Sequence, residues 1–187
     1  MKKYLSPSLK LTLVFLIVCS LLYPLFISVI AKFAPGGGRG ETLSVNGKVV
    51  GYANIGQKFT ADKYFWSRPS AVDYNGAGSA GSNKGPTNPD YLKQVQNRID
   101  SFLAHNSSVK KSDIPSELVT ASGSGLDPDL SPRGAYVQVA RIAKIRNIPE
   151  QKIQALVEQQ IQKPLLGLFG PPKVNVLKLN IELDNLK

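Results

Sequence analysis

From Leu11 to Ala31 the chain runs for 21 residues without a charged side chain. Wound as a helix, this run rises about 31 Å at roughly 1.5 Å per residue, matching a hydrocarbon core of about 30 Å. A single membrane crossing is the element it predicts. A cleaved leader is the competing reading, but its apolar region usually covers about 7 to 15 residues and closes in a small-x-small site. Lys32 and Phe33 stand where that site belongs. The expectation is an uncleaved anchor over 11–31 behind a basic tail over 1–10.

Lys2, Lys3 and Lys10 precede the span and Lys32, Arg39 and Lys48 follow it. The short tail tips the balance toward an amino terminus in the cytoplasm and a long carboxy-terminal part outside. Within the span, Ser20, Pro24 and Ser28 recur every four residues along one slowly turning stripe. Pro24 lacks the N–H that would bond the Ser20 carbonyl, so a kink is expected there. Such a stripe suits a partner helix, and a single span facing lipid tolerates it equally well. The three residues are candidate partner contacts on the first reading.

Four of the 23 basic residues flank the apolar run, leaving 19 against 13 acidic ones and a net +6 over the remainder. No basic run there exceeds Lys110–Lys111, which is a poor nucleic-acid footprint. One Cys and one His exclude a zinc site of the usual three or four such ligands, and an intrachain disulfide as well. Cys19, inside the run, is expected as a small buried thiol. His105, beside Asn106, Ser107 and Ser108, is expected as a solvated helix cap. No metal site and no catalytic constellation is predicted.

Pro35 to Gly40 reads Pro-Gly-Gly-Gly-Arg-Gly, so residues 32–42 are expected to form a flexible tether before a single domain over 43–187. Asn46-Gly47 between Leu43–Val45 and Lys48–Ile55 predicts a β-hairpin. Asn88-Pro89 starts a helix with Leu92, Val95, Ile99, Phe102 and Leu103 at helical spacing. Ser131-Pro132 starts a second, ending near Asn147, and a third runs from Pro149 to Pro164. The alternation of Leu177, Leu179, Ile181 and Leu183 with polar residues predicts a closing strand over about Val174–Ile181. The class is α+β.

Two Gly/Ser-rich loops, Asn75–Asn88 and Thr120–Ser131, both run into helix starts. They are either rigid surface loops or cradles of backbone N–H groups for an anion or a partner's main chain. Gly76, Gly78 and Gly81 match G-x-G-x-x-G, but no βαβ unit surrounds them. Upstream, Tyr64-Phe65-Trp66-Ser67-Arg68-Pro69-Ser70 carries the only Trp beside an Arg, a combination found at contact hot spots and, for Trp, equally in cores.

Tyr64 to Ala71, Gly81-Ser82-Asn83 with Gly85 to Pro89, Thr120 to Pro128, and Val174 to Leu177 with Leu179-Asn180 together resemble the C subunits of Kdp potassium-transporting ATPases, collinearly and along nearly the whole chain. The resemblance implies a non-catalytic accessory subunit of a bacterial inner-membrane potassium-uptake complex. Its implied partners are a P-type ATPase subunit that hydrolyses ATP, a channel-like subunit that carries potassium, and a small membrane subunit. It further implies support of assembly and a catalytic-chaperone role that raises the ATPase subunit's affinity for ATP. ATP and potassium are thus associated with the complex, and no cofactor is assigned to this chain. Ser79, Gly81, Ser82 and Asn83 are the loop candidates for nucleotide contact; Ala80 replaces the more usual Gly of a Ser-Gly-Gly-Ser run. Trp66 and Arg68 are the candidate partner contacts of the outer domain. The second functional expectation is an extracytoplasmic filter or binding module at the potassium entrance, built from loop carbonyls.

Overall fold

The computed structural model describes residues 2–186. Contacts within the chain divide it between Thr42 and Leu43 into two units.

The first unit is dominated by one long helix. α1 (Lys2–Ile17) leads through a π turn over Val18–Leu22 into α2 (Tyr23–Ala31). The stretch Lys3–Ala31 is long and apolar enough to cross a membrane. Pro24 has no N–H to donate, and its ring crowds the carbonyl four residues back. The helix absorbs this by widening: the Tyr23 N–H reaches the Val18 carbonyl, five residues earlier, and the backbone stays right-handed on both sides. The local distortion that Pro24 imposes falls in that π turn, one turn before it. Large apolar side chains along the helix are exposed, and so is Cys19, contrary to the expectation of a buried thiol. The basic tail is helical from Lys2 onward, continuous with the span. Beyond it, Pro35–Gly38 is a tight 3-10 turn with Gly36 and Gly37 at φ 77° and 61°, so this part of the tether is a defined turn.

In the second unit, β1 (Thr42–Val45) and β2 (Lys48–Tyr52) form the expected hairpin. Asn46 and Gly47 take φ 50° and 77°, the pair of positive values a two-residue type I′ turn demands. An irregular segment then leads to α3 (Pro89–His105). The Asn88 side chain caps it by accepting from Tyr91 N–H, and Pro89 fills the first helical position. Of its apolar residues, Phe102 is buried and Leu92 is exposed, so only the carboxy-terminal half of α3 meets the core.

Ser131 caps the next helix as expected, accepting from Gly134 N–H at 3.0 Å. That helix is two pieces, α4 (Pro132–Tyr136) and α5 (Val139–Arg146), because Gln138 interrupts it. The Gln138 N–H bonds Ala135, three residues back, and its side-chain amide takes over the Gly134 carbonyl at 2.9 Å. Asn147 closes α5 in the left-handed region at φ 54°. α6 (Glu150–Gln160) follows Pro149, and β4 (Ile161–Gln162) pairs with β5 (Lys173–Asn175). β3 (Asp129–Leu130) completes an antiparallel sheet of order β3-β5-β4, with Asp129 opposite Asn175 and Ile161 opposite Val174.

The predicted closing strand is wrong beyond Asn175: Val176–Asn185 is a helix, α7. The Asn175 side chain accepts from Lys178 N–H at 3.0 Å and starts it. The buried set Val176, Leu179, Asn180 and Leu183 has the three- and four-residue spacing of a helical face, hidden in the sequence under the alternation of Leu177, Leu179 and Ile181. The unit is mixed helix and strand, the predicted class. Its core joins Phe65, Ile142, Ile153, Val157, Val174, Leu179 and Leu183, all completely buried.

Candidate functional site

The segment around Trp66 has no regular secondary structure, so its backbone groups need other partners. Two buried side-chain amides provide them. Asn180 on α7 accepts from Phe65 N–H at 2.9 Å and donates to the Phe65 carbonyl at 3.0 Å. Gln138 accepts from Trp66 N–H at 2.8 Å and donates to the Trp66 carbonyl at 3.3 Å. The clasp drives the Phe65 ring into the core and leaves Trp66 half-buried at its edge.

The Trp66 indole donates to the Ala61 carbonyl at 3.2 Å and meets Phe102 and His105 edge-on, with centroids 6.2 and 5.0 Å away. Arg141 lies against the ring at 4.8 Å. Its guanidinium donates to Asn106 Oδ1 at 3.0 Å, to Gln138 Oε1 at 2.8 Å and to the Asp62 carbonyl. Burial lowers the Arg141 pKa to about 10, with the Asp62 charge opposing the shift. His105 ends α3 as expected, but it is not simply solvated: Nδ1 sits 2.8 Å from an Asp62 carboxylate oxygen.

Arg68 pairs with Asp127 at 2.9 Å and so ties the segment to the second Gly/Ser loop, while its Nε is buried without a partner. The Tyr74 hydroxyl donates to the Arg68 carbonyl, and burial pushes that phenol above its usual pKa. Trp66 and Arg68 thus line one groove of about 500 Å³, together with Lys58, Tyr74 and the α3 residues Arg98 and Phe102.

The two Gly/Ser loops pack against each other. Ser79 Oγ donates to the Ser124 carbonyl at 2.9 Å, and the Trp66 segment is tied to the second loop as well, Ser70 Oγ donating to the Gly125 carbonyl at 2.7 Å and Ser122 N–H to the Pro69 carbonyl at 3.0 Å. A Cβ on Gly81 would lie 3.0 Å from the Gly123 carbonyl oxygen, which is why glycine faces glycine there. Within the same loop Asn83 adopts φ 51°. None of Ser79, Gly81, Ser82 and Asn83 lines the groove. Ser20, Pro24 and Ser28 belong to the other unit, where Ser20 sits in the π turn and all three are exposed. Among the described residues no three His, Cys, Asp or Glu side chains are grouped to hold a metal ion.

Sequence reasoning missed Asn106, Gln138, Arg141 and Asn180, the buried polar residues that build this region. Their only local sign is polarity at positions of a helical apolar face.

Comparison with known proteins agrees with the resemblance read from the motifs. The family model described as "K+-transporting ATPase, c chain" (KdpC) matches residues 5–185. The potassium-transporting ATPase KdpC subunit of Flavobacterium johnsoniae is 60% identical over 185 residues, covering 99% of this chain and 100% of its own length. The subunits of the same name from Bacteroides fragilis and Caldanaerobacter subterraneus are 52% and 45% identical, covering 99% and 98% of this chain and 98% and 95% of their own lengths. A match of this extent, through the N-terminal apolar helix and the clasped Trp66 segment alike, means that the chain belongs to the KdpC family, the c subunits of the K+-transporting ATPase.

Proposed function

We propose that this chain is a non-catalytic accessory subunit that supports assembly of an ATP-driven potassium-uptake complex. In this reading residues 11–31 anchor it in the bacterial inner membrane, amino terminus inside, with the 43–187 domain outside. Its partners are the P-type ATPase subunit, the channel-like potassium-carrying subunit and the small membrane subunit. It raises the ATP affinity of the ATPase subunit as a catalytic chaperone, without an ATP site of its own. A domain outside is separated from cytoplasmic ATP by about 30 Å of hydrocarbon, so the effect has to travel as differential binding between partner states.

The observation that carries this reading is the division of labour between the two candidate regions. Ser79 and Gly81 are committed to packing against the Gly123–Gly125 loop, whereas Trp66 and Arg68 border an open groove. A potassium filter built from loop carbonyls is the less favoured reading, because the Ser124 and Gly125 carbonyls already accept from Ser79 and Ser70 Oγ, and the chain outside the apolar run and its flanking lysines carries a net +6.

The test is co-purification of the complex with a tagged chain, alongside ATP titration of its hydrolysis. Arg68→Ala and Trp66→Ala are expected to reduce recovery of the other subunits, while Ser82→Ala and Asn83→Ala leave the KM for ATP unchanged. A large rise in that KM from either loop substitution would replace assembly with direct nucleotide contact. Protease added to intact spheroplasts should digest the 43–187 domain; a protected domain would reverse the topology.

A further inference from the structure

The β4–β5 connection carries the most exposed large apolar side chains of the unit that begins at Leu43. Leu165, Leu166, Leu168 and Phe169 are 70%, 81%, 82% and 64% exposed. Their backbone is well defined: Leu165 and Phe169 exchange both main-chain hydrogen bonds at 3.0 Å, and Gly167 N–H donates to the Pro164 carbonyl at 2.9 Å. Leu166 is held at φ 54°, a left-handed conformation that glycine or asparagine adopts at lower cost. A leucine kept there, facing outward, gains nothing from the domain's own core. A contiguous apolar tip of this kind marks a contact surface.

We propose that the 163–170 hairpin is a second membrane contact, whose leucine and phenylalanine side chains enter the boundary between headgroups and acyl chains of the bilayer that the long helix spans. Two observations select lipid over protein. The stretch from residue 159 to residue 181 contains no carboxylate and three lysines. Lys163 is exposed beside the tip, and Lys173 lies on the opposite strand with its amine 2.6 Å from Asp129. Asp129 offsets Lys173, so Lys163 is the basic residue behind the apolar wedge that suits anionic headgroups. The second observation is the anchor itself. Eleven residues separate Ala31 from Leu43, a reach of at most about 40 Å. That keeps the domain at high effective concentration near the bilayer, where a weak interfacial contact is populated. The inference needs membrane anchorage alone and holds whichever side the domain occupies, so the topology test above can fail without it.

The experiment uses the full-length chain in nanodiscs of phosphatidylethanolamine and phosphatidylglycerol. With Cys19→Ser as background, an environment-sensitive dye is attached at Leu168→Cys or, as control, at the exposed Ser107→Cys, and headgroup-nitroxide lipid is titrated. Several-fold stronger quenching at position 168 than at 107, with a blue-shifted emission, is the expected result. Equal quenching at the two positions overturns the proposal. So does a blue shift at 168 that arises only when the other subunits are added, which would make the tip a protein-docking element. A nanodisc lacking phosphatidylglycerol should lower the quenching at 168 by about half or more; no change would remove the electrostatic part of the argument.

Discussion

The guanidinium of Arg141 lies 4.8 Å from the centre of the Trp66 ring, a cation held against the most amphipathic side chain of the domain. Three elements meet at this pair. Arg141 comes from α5, Trp66 from the clasped segment, and Asn106, the partner of Arg141 Nε, from the end of α3. The contact is thus a joint between helices that the sequence leaves far apart.

Replacing Arg141 should weaken that joint. Arg141→Met leaves Asn106 Oδ1 and the Asp62 carbonyl without their charged donor, a loss expected at about 3 kcal/mol. Arg141→Lys should recover only part of it, since an ammonium cannot reproduce the planar fork. Denaturant titration of the solubilised chain, followed by Trp66 fluorescence, checks both.

The loop–loop packing makes a contrast between two glycines. Gly125 sits at φ 70°, and a Cβ there would come 2.5 Å from Val72 Cγ2 and 2.8 Å from the Ala80 carbonyl oxygen. Gly125→Ala should therefore destabilise the domain by about 3 kcal/mol, from backbone strain and overpacking together. Gly76→Ala, with open space around it and no positive φ, should be close to neutral in the same thermal-unfolding assay.

Asn175 both caps α7 and donates to the Ala53 carbonyl at 2.7 Å, joining that helix to the region after the hairpin. Asn175→Ala removes the cap and leaves a buried carbonyl unpaired, an expected cost of about 2 kcal/mol. Hydrogen exchange should show the first turn of α7 losing protection before the rest of the core; uniform loss would argue against the cap.

Tyr74 gives a pH dependence with a definite sign. Burial raises its pKa above 10, with smaller and opposing contributions from its surroundings. The phenol therefore stays neutral in the fold to a higher pH than in the unfolded chain. Its contribution to stability is fully present below about pH 10 and is lost as pH rises through the folded-state pKa. Tyr74→Phe should flatten the alkaline fall in stability above about pH 10, while lowering the neutral-pH value by about 1 kcal/mol through the lost bond to the Arg68 carbonyl. An unchanged alkaline slope would show that another group dominates it.

What could be read without the structure was local chemistry. Asn46-Gly47 demands a tight turn, and Asn88-Pro89 and Ser131-Pro132 carry their caps within three residues of the backbone they satisfy. The same logic failed at Val174–Ile181, where leucines at every second position fit a strand as well as a helix. The decision there fell to the Asn175 cap and to Asn180, whose amide is turned inward to hold Phe65. For the candidate site, the pairing of Trp66 with Arg68 was visible as composition. That Arg68 would bridge to Asp127, and that Trp66 would rest on Phe102 and His105, was not.

By itself the sequence determined the long apolar helix, the hairpin turn and the caps at Asn88 and Ser131, and the family, because each depends on residues within a few positions or on motifs kept in order. Hydrophobic length is measured against the bilayer and needs no partner from the same chain. Only the tertiary structure decided what the polar residues of the domain do. Asn180 and Gln138 find the backbone of Phe65 and Trp66 across 115 and 72 positions, and Arg141 finds Asn106 across 35. Burying such groups is favourable only where each donor meets an acceptor, and that matching is set by how the helices close on one another.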